Sequence, residues 1–129
     1  MTLFVGDTSA DYYRYRYDAE RGAVGDRELF GDMSNLAGSP DGAAVDDDGG
    51  LWCALVGGAQ LARFTDTGLD RTVTLPVTNP TDVAFGGQDL DRLYVVSIGL
   101  DAADAAMDGT LLVIDGLGSR GRPEPRARL

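Results

Sequence analysis

One motif and its echo constrain this chain more than anything else in it. Ser39-Pro40-Asp41-Gly42-Ala43-Ala44-Val45 runs through Asp46-Asp47-Asp48-Gly49-Gly50 into Leu51-Trp52. About forty residues later, Asn79-Pro80-Thr81-Asp82-Val83-Ala84-Phe85-Gly86-Gly87 leads to Leu93-Tyr94-Val95-Val96. Each copy reads as a loop, a short apolar strand, an acidic turn containing Gly, and a second strand opening on Leu-aromatic. A strand–hairpin–strand unit returning at that period predicts the blades of a β-propeller.

Three units follow. In the first, Leu3-Phe4-Val5, Tyr13-Arg14-Tyr15-Arg16-Tyr17 and Arg27-Glu28-Leu29-Phe30 are strands, and no innermost strand precedes Leu3. The alternation from Tyr13 to Tyr17 puts rings on one face and guanidinium groups on the other. The second unit is complete, with strands predicted over 42–45, 51–55, 60–64 and around 71–75. The third has strands over 82–85, 92–97 and 111–115, with an Asp- and Ala-rich surface loop at 99–109. The tally is about two and two-thirds blades, against roughly four to eight in a closed ring. The fold class is therefore all-β, a partial propeller over residues 1–118. Residues 119–129, rich in Arg and Pro, are expected to be a disordered tail.

Composition excludes several function classes. The formal net charge is -10, and every basic residue is Arg. Such a surface repels nucleic acid and anionic lipid, so neither is an expected partner. No apolar run approaches the roughly 20 residues that cross a bilayer, and Met1-Thr2-Leu3-Phe4 does not resemble a secretory signal. The expected location is cytoplasmic, unless the true N-terminus lies elsewhere. Without His, the chain can assemble no Ser-His or Cys-His catalytic pair. The lone Cys53 follows Trp52 in an apolar strand and reads as a buried, inert thiol.

The ordered set Tyr15-Arg16-Tyr17-Asp18, Pro40-Asp41-Gly42, Gly50-Leu51-Trp52, Asn79-Pro80-Thr81, Phe85-Gly86-Gly87, Leu93-Tyr94-Val95 and Gly116-Leu117-Gly118 resembles the C-terminal part of the gluconolactonase family, which includes regucalcin. The resemblance runs from about Leu3 to Gly118. It implies a six-bladed propeller, one divalent metal (Ca, Zn, Mn or Mg) in the central channel, and hydrolysis of sugar lactones, typically aldonolactones. The family's ligands are a Glu near the N-terminus, an Asn at a later inner-strand mouth, and the Asp of Pro-Asp-Gly. Only the last has a counterpart here, Asp41, which the resemblance makes both metal ligand and catalytic residue. The missing ligands would have to be supplied by an upstream half, so the chain alone is expected to be catalytically incomplete. It would pair with that half or with a second copy of itself. The alternative is a non-catalytic propeller fragment serving as an interaction or oligomerisation module, since open blade edges are association sites.

Placement at the start of an inner strand gives Asp41 its chemistry. A carboxylate at the channel mouth is a hard oxygen ligand and can take a proton from an attacking water; the plainer use is to close a turn on its own backbone. Aligning Pro40 with Pro80 sets Thr81 opposite Asp41, so Thr81 and Asp82 are candidate channel-lining residues, with turn chemistry the plainer reading. Asp46-Asp47-Asp48-Gly49-Gly50 is no calcium loop, because the twelfth position from Asp46 is Gly57 rather than Glu. It reads as an exposed hairpin turn. The Tyr12–Tyr17 stripe reads as packing between blades.

Overall fold

The computed structural model describes residues 1–100 and 106–123. The alternating and apolar runs become ten strands in three antiparallel sheets, with no helix among the described residues. β1 (Thr2–Gly6), β2 (Tyr12–Asp18) and β3 (Ala23–Gly31) form the first sheet in that order. β4 (Ser39–Val45), β5 (Leu51–Val56), β6 (Gln60–Thr65) and β7 (Gly68–Thr74) form the second. β8 (Pro80–Gly86), β9 (Arg92–Ser97) and β10 (Leu111–Ile114) form the third. The all-β expectation and the three units both hold. The strands run one to four residues longer than sequence predicted at several ends, where ladder pairing continues past the apolar run. In β3 pairing begins at Ala23, in a stretch too exposed and polar to read as strand.

β5 explains how the sheets stack. Its side chains alternate by the two-residue period of a strand: Leu51, Cys53 and Leu55 pack with Tyr12, Phe30 and Phe64 against the first sheet. Trp52 and Ala54 pack with Leu61, Val83, Leu93 and Val95 against the third. An apolar run without polar alternation is what a strand needs when both its faces are covered. The first seam also takes the basic face of β2. Arg14 stacks 5.2 Å over the Phe30 ring, pairs with Glu28 at 2.7 Å, and reaches across to Asp66 on the second sheet. Thus Tyr12 and Arg14 pack between blades, while Tyr13 lies half-buried beneath Arg27 at 4.5 Å.

The structure differs from expectation over residues 119–123. This segment returns across the second seam: Asp47 N–H donates to the Arg120 carbonyl at 2.7 Å, and Gly121 N–H donates to the Leu90 carbonyl at 2.8 Å. Arg122 donates to the Asp47 carbonyl at 2.8 Å. A Cβ at Gly121 would overlap the Phe85 side chain, so the contact is closed to any larger residue. Composition suggested disorder, but three backbone-directed hydrogen bonds and a close-fitting glycine hold this strap. Residues 124–129 of the expected tail, and 101–105 of the expected surface loop, lie outside the described residues. No helix among the described residues is long and apolar enough to cross a membrane.

Candidate active site

β4 and β8 are the first strands of their sheets and lie side by side. Each carries a proline within its first two residues and breaks register just after it. Pro40 faces Leu55, but Ala43 faces Cys53, so Asp41-Gly42 holds one residue too many for the ladder. Pro80 faces Ser97, but Asp82 faces Val96, leaving Thr81 as the extra residue. A proline has no N–H to give, so the ladder is already interrupted where each bulge forms. Bulges re-aim the side chains they carry and recur beside active sites. The Pro40/Pro80 alignment made from sequence is therefore also an alignment of bulges.

Asp41 is exposed, and its carboxylate takes no hydrogen bond or ion pair among the described residues. Its backbone is held instead. The hydroxyl of Tyr12, a residue only 1% exposed, reaches over from the first sheet and donates to the Asp41 carbonyl. Burial pushes the Tyr12 phenol far above its ordinary range, with the neighbouring Cys53 thiol adding to the effect, so it stays a donor. Burial likewise pushes the Cys53 thiol up, which leaves it protonated and unreactive.

Asp82 stands on the other side of the same bulge. A Cβ at Gly42 would overlap the Asp82 carboxylate, so the glycine is what lets the two inner strands approach here. Asp82 is exposed; its Oδ1 accepts from Val83 N–H at 2.8 Å. Thr81 is half-buried, and its hydroxyl donates to the Val96 carbonyl at 3.4 Å. Asp82 thus stands against Gly42, the residue after Asp41, while the Thr81 hydroxyl turns into its own sheet. Between β1 and β4 runs a trough of about 340 Å³ lined by Phe4, Tyr12, Asp41, Val45 and Leu51. Sequence reasoning missed Tyr12, whose only signal was a Tyr opening a strand whose neighbours alternate differently.

At the opposite end of β4 stands a second carboxylate of different character. Asp46, expected in an exposed turn, is fully buried. It accepts from Gly50 N–H at 2.7 Å, Trp52 Nε1 at 3.1 Å and Arg63 Nε at 2.7 Å. Burial opposes its ionisation, but these donors outweigh it and hold the carboxyl below the usual carboxylate range. Arg63 continues to Asp70 at 3.0 Å, and Arg71 stacks 5.1 Å over Trp52. This network fastens the fold and offers nothing to a ligand.

Among the described residues no three His, Cys, Asp or Glu side chains gather into a metal cage. Asp41 is nevertheless suited to a hard cation: an open carboxylate, unneutralised by any Arg, on a fixed backbone. Residues 1–99 match the family described as SMP-30/Gluconolactonase/LRE-like region. The chain belongs to that family. Pentonolactonase XacC of Haloferax volcanii is 38% identical over 124 residues, spanning 89% of this chain and 43% of that protein. The 6-deoxy-6-sulfogluconolactonase of Pseudomonas putida is 43% identical over 88 residues, 66% of this chain and 30% of that one. The crystal structure titled as a calcium-binding protein, regucalcin, from Agrobacterium tumefaciens superposes with a TM-score of 0.86 at 29% identity. It covers 99% of this chain, which spans 46% of it. The chain thus spans less than half the length of each of these SMP-30/gluconolactonase relatives.

Proposed function

We propose that this chain supplies the Asp41 side of the active site of a metal-dependent sugar-lactone hydrolase, with an aldonolactone as substrate. The observation that carries the reading is the open Asp41 carboxylate, fixed on a bulge at the mouth shared by β4 and β8. Family membership and the names of two relatives, a pentonolactonase and a sulfogluconolactonase, support the same chemistry. A divalent cation bound there would polarise the lactone carbonyl and the attacking water. Asp41 would hold it through a carboxylate oxygen, with the remaining ligands coming from outside the residues of this chain.

In the reaction, water oxygen bonds to the carbonyl carbon, the acyl C–O bond of the ring breaks, and the ring oxygen takes a proton. Asp41, accepting the proton from water and returning it to the ring oxygen, closes that balance. Tyr12 fixes the Asp41 backbone, so the carboxylate would meet the cation without losing further backbone freedom. The test compares the complete protein with its Asp41→Ala variant, using Mn²⁺ calorimetry and acid release from an aldonolactone. Loss of Mn²⁺ binding and a fall in turnover of about a hundred-fold or more is expected. Unchanged binding and turnover would overturn the reading.

A second reading, an association module, is favoured by the open edges of β1 and β10. Leu3, Val5, Leu111 and Val113 stand exposed there. Light scattering distinguishes it: a chain that is monomeric at all concentrations and takes up no partner half counts against association.

A further inference from the structure

The three sheets share one packing rule. Leu3-Phe4, Leu51-Trp52 and Leu93-Tyr94 stand near the starts of β1, β5 and β9. In β5 the Leu51 side packs with Phe4 and Tyr12 of the first sheet, and the Trp52 side packs with Leu93 and Val95 of the third. At each seam the leucine face of one sheet therefore meets the aromatic face of the sheet before it. Two such faces are left over. On the first sheet the leucine face carries Leu3, Val5, Tyr13 and Leu29, placed together by register and alternation. Leu3, Val5 and Leu29 are exposed there. On the third sheet the aromatic face carries Tyr94, Val96, Leu111 and Val113, the last three exposed.

We infer that a second copy of this chain covers both faces, the Tyr94 face of each copy packing on the Leu3 face of the other, so that two copies close one ring. This rests on the association reading above and names its partner. Exposed apolar faces of this kind are association sites. One chain carries both halves of the seam, so satisfying one face leaves the other free for a further contact of the same kind. Head-to-tail contacts of that sort end only when a ring closes. Three sheets fall short of the roughly four to eight of a closed propeller, and two copies bring the number within that range. The chain also spans 43% of the Haloferax volcanii pentonolactonase, so two copies approach the length of one such relative. Each copy would contribute its Asp41-bearing strand, β4, to the same ring.

The test is size-exclusion chromatography with light scattering on the 129-residue chain, at high salt to screen the net charge of -10 on each copy. A dimer is expected. Leu3→Glu and Leu111→Glu each place a charge in both seams of the dimer and should raise its dissociation constant by about ten-fold or more. An equimolar mixture of the two variants should regain dimer, because a mixed pair gathers both charges into one seam and leaves the other as in the wild type. Leu69→Glu, at an exposed leucine of β7 in the second sheet, should leave the dimer unchanged. An open-ended assembly, a dimer indifferent to either face variant, or a mixture that fails to recover overturns the ring and leaves association through another surface. A monomer at all concentrations that takes up no partner half overturns both. Asp41 lies on neither face, so Asp41→Ala should keep the dimer, and the lactonase reading stands or falls apart from this one.

Discussion

Asp41 and Asp46 lie at opposite ends of one inner strand and have opposite fates. Asp46 is sealed from solvent and accepts three donors within 3.1 Å. Asp41 is exposed, and only its backbone carbonyl is engaged. The same side chain thus serves as a rivet where its charge is fully matched and, on the reading proposed above, as a metal ligand where it is left unmatched. What separates them is the neighbouring strand. Arg63 and Trp52 meet Asp46 from β6 and β5, whereas Asp41 lies in the bulge, where no described residue bonds its carboxylate.

The sharpest test of the contrast is Asp46→Ala. It leaves Arg63 buried with only its exposed-side partner Asp70, and should destabilise the fold by about 3–5 kcal/mol in urea unfolding. A loss below about 1 kcal/mol, no more than an exposed pair contributes, would erase the distinction. Acid should act through the same group. Because the folded Asp46 carboxyl sits below the usual carboxylate range, its contribution is intact above about pH 4 and fades as acid protonates it. The stability gap between wild type and Asp46→Asn should therefore narrow from pH 7 towards pH 3, and a constant gap would break the argument. A smaller effect is expected for Tyr12→Phe. Removing the hydroxyl that holds the Asp41 carbonyl should cost about 1 kcal/mol, read as a shift in the urea midpoint. Smallest of all is Asp41→Ala, which should change unfolding free energy by less than about 0.5 kcal/mol. A stability cost comparable to that of Asp46→Ala would mean that Asp41 is structural after all.

The strand content was legible because its signals are local: alternation at Tyr13–Tyr17, apolar runs at 51–55 and 92–97, and the paired prolines. The place of Asp41 near the start of an inner strand was legible for the same reason, since Pro-Asp-Gly is contiguous. Asp46 was not. Within Asp46-Asp47-Asp48 the three residues look alike, and only register against Trp52 and Arg63 buries the first while leaving the next two exposed. Tyr12 was opaque on similar grounds, because it matters through a neighbour on another sheet. Residues 119–123 misled through composition: Gly and Arg read as disorder until a backbone is there to receive them.

The strap formed by these last described residues has a consequence for synthesis. Arg122 and Asp47 are bonded although 75 positions separate them. Gly121 meanwhile ties the turn at Asp46 to the turn at Leu90. On a ribosome the second and third sheets can pair their own strands as they emerge, but the seam between them stays unlatched until residue 122 has cleared the exit tunnel. Until then the Phe85 side chain lacks the Gly121 contact that closes against it, and this interval is when the nascent chain is most open to chaperones and to misassociation.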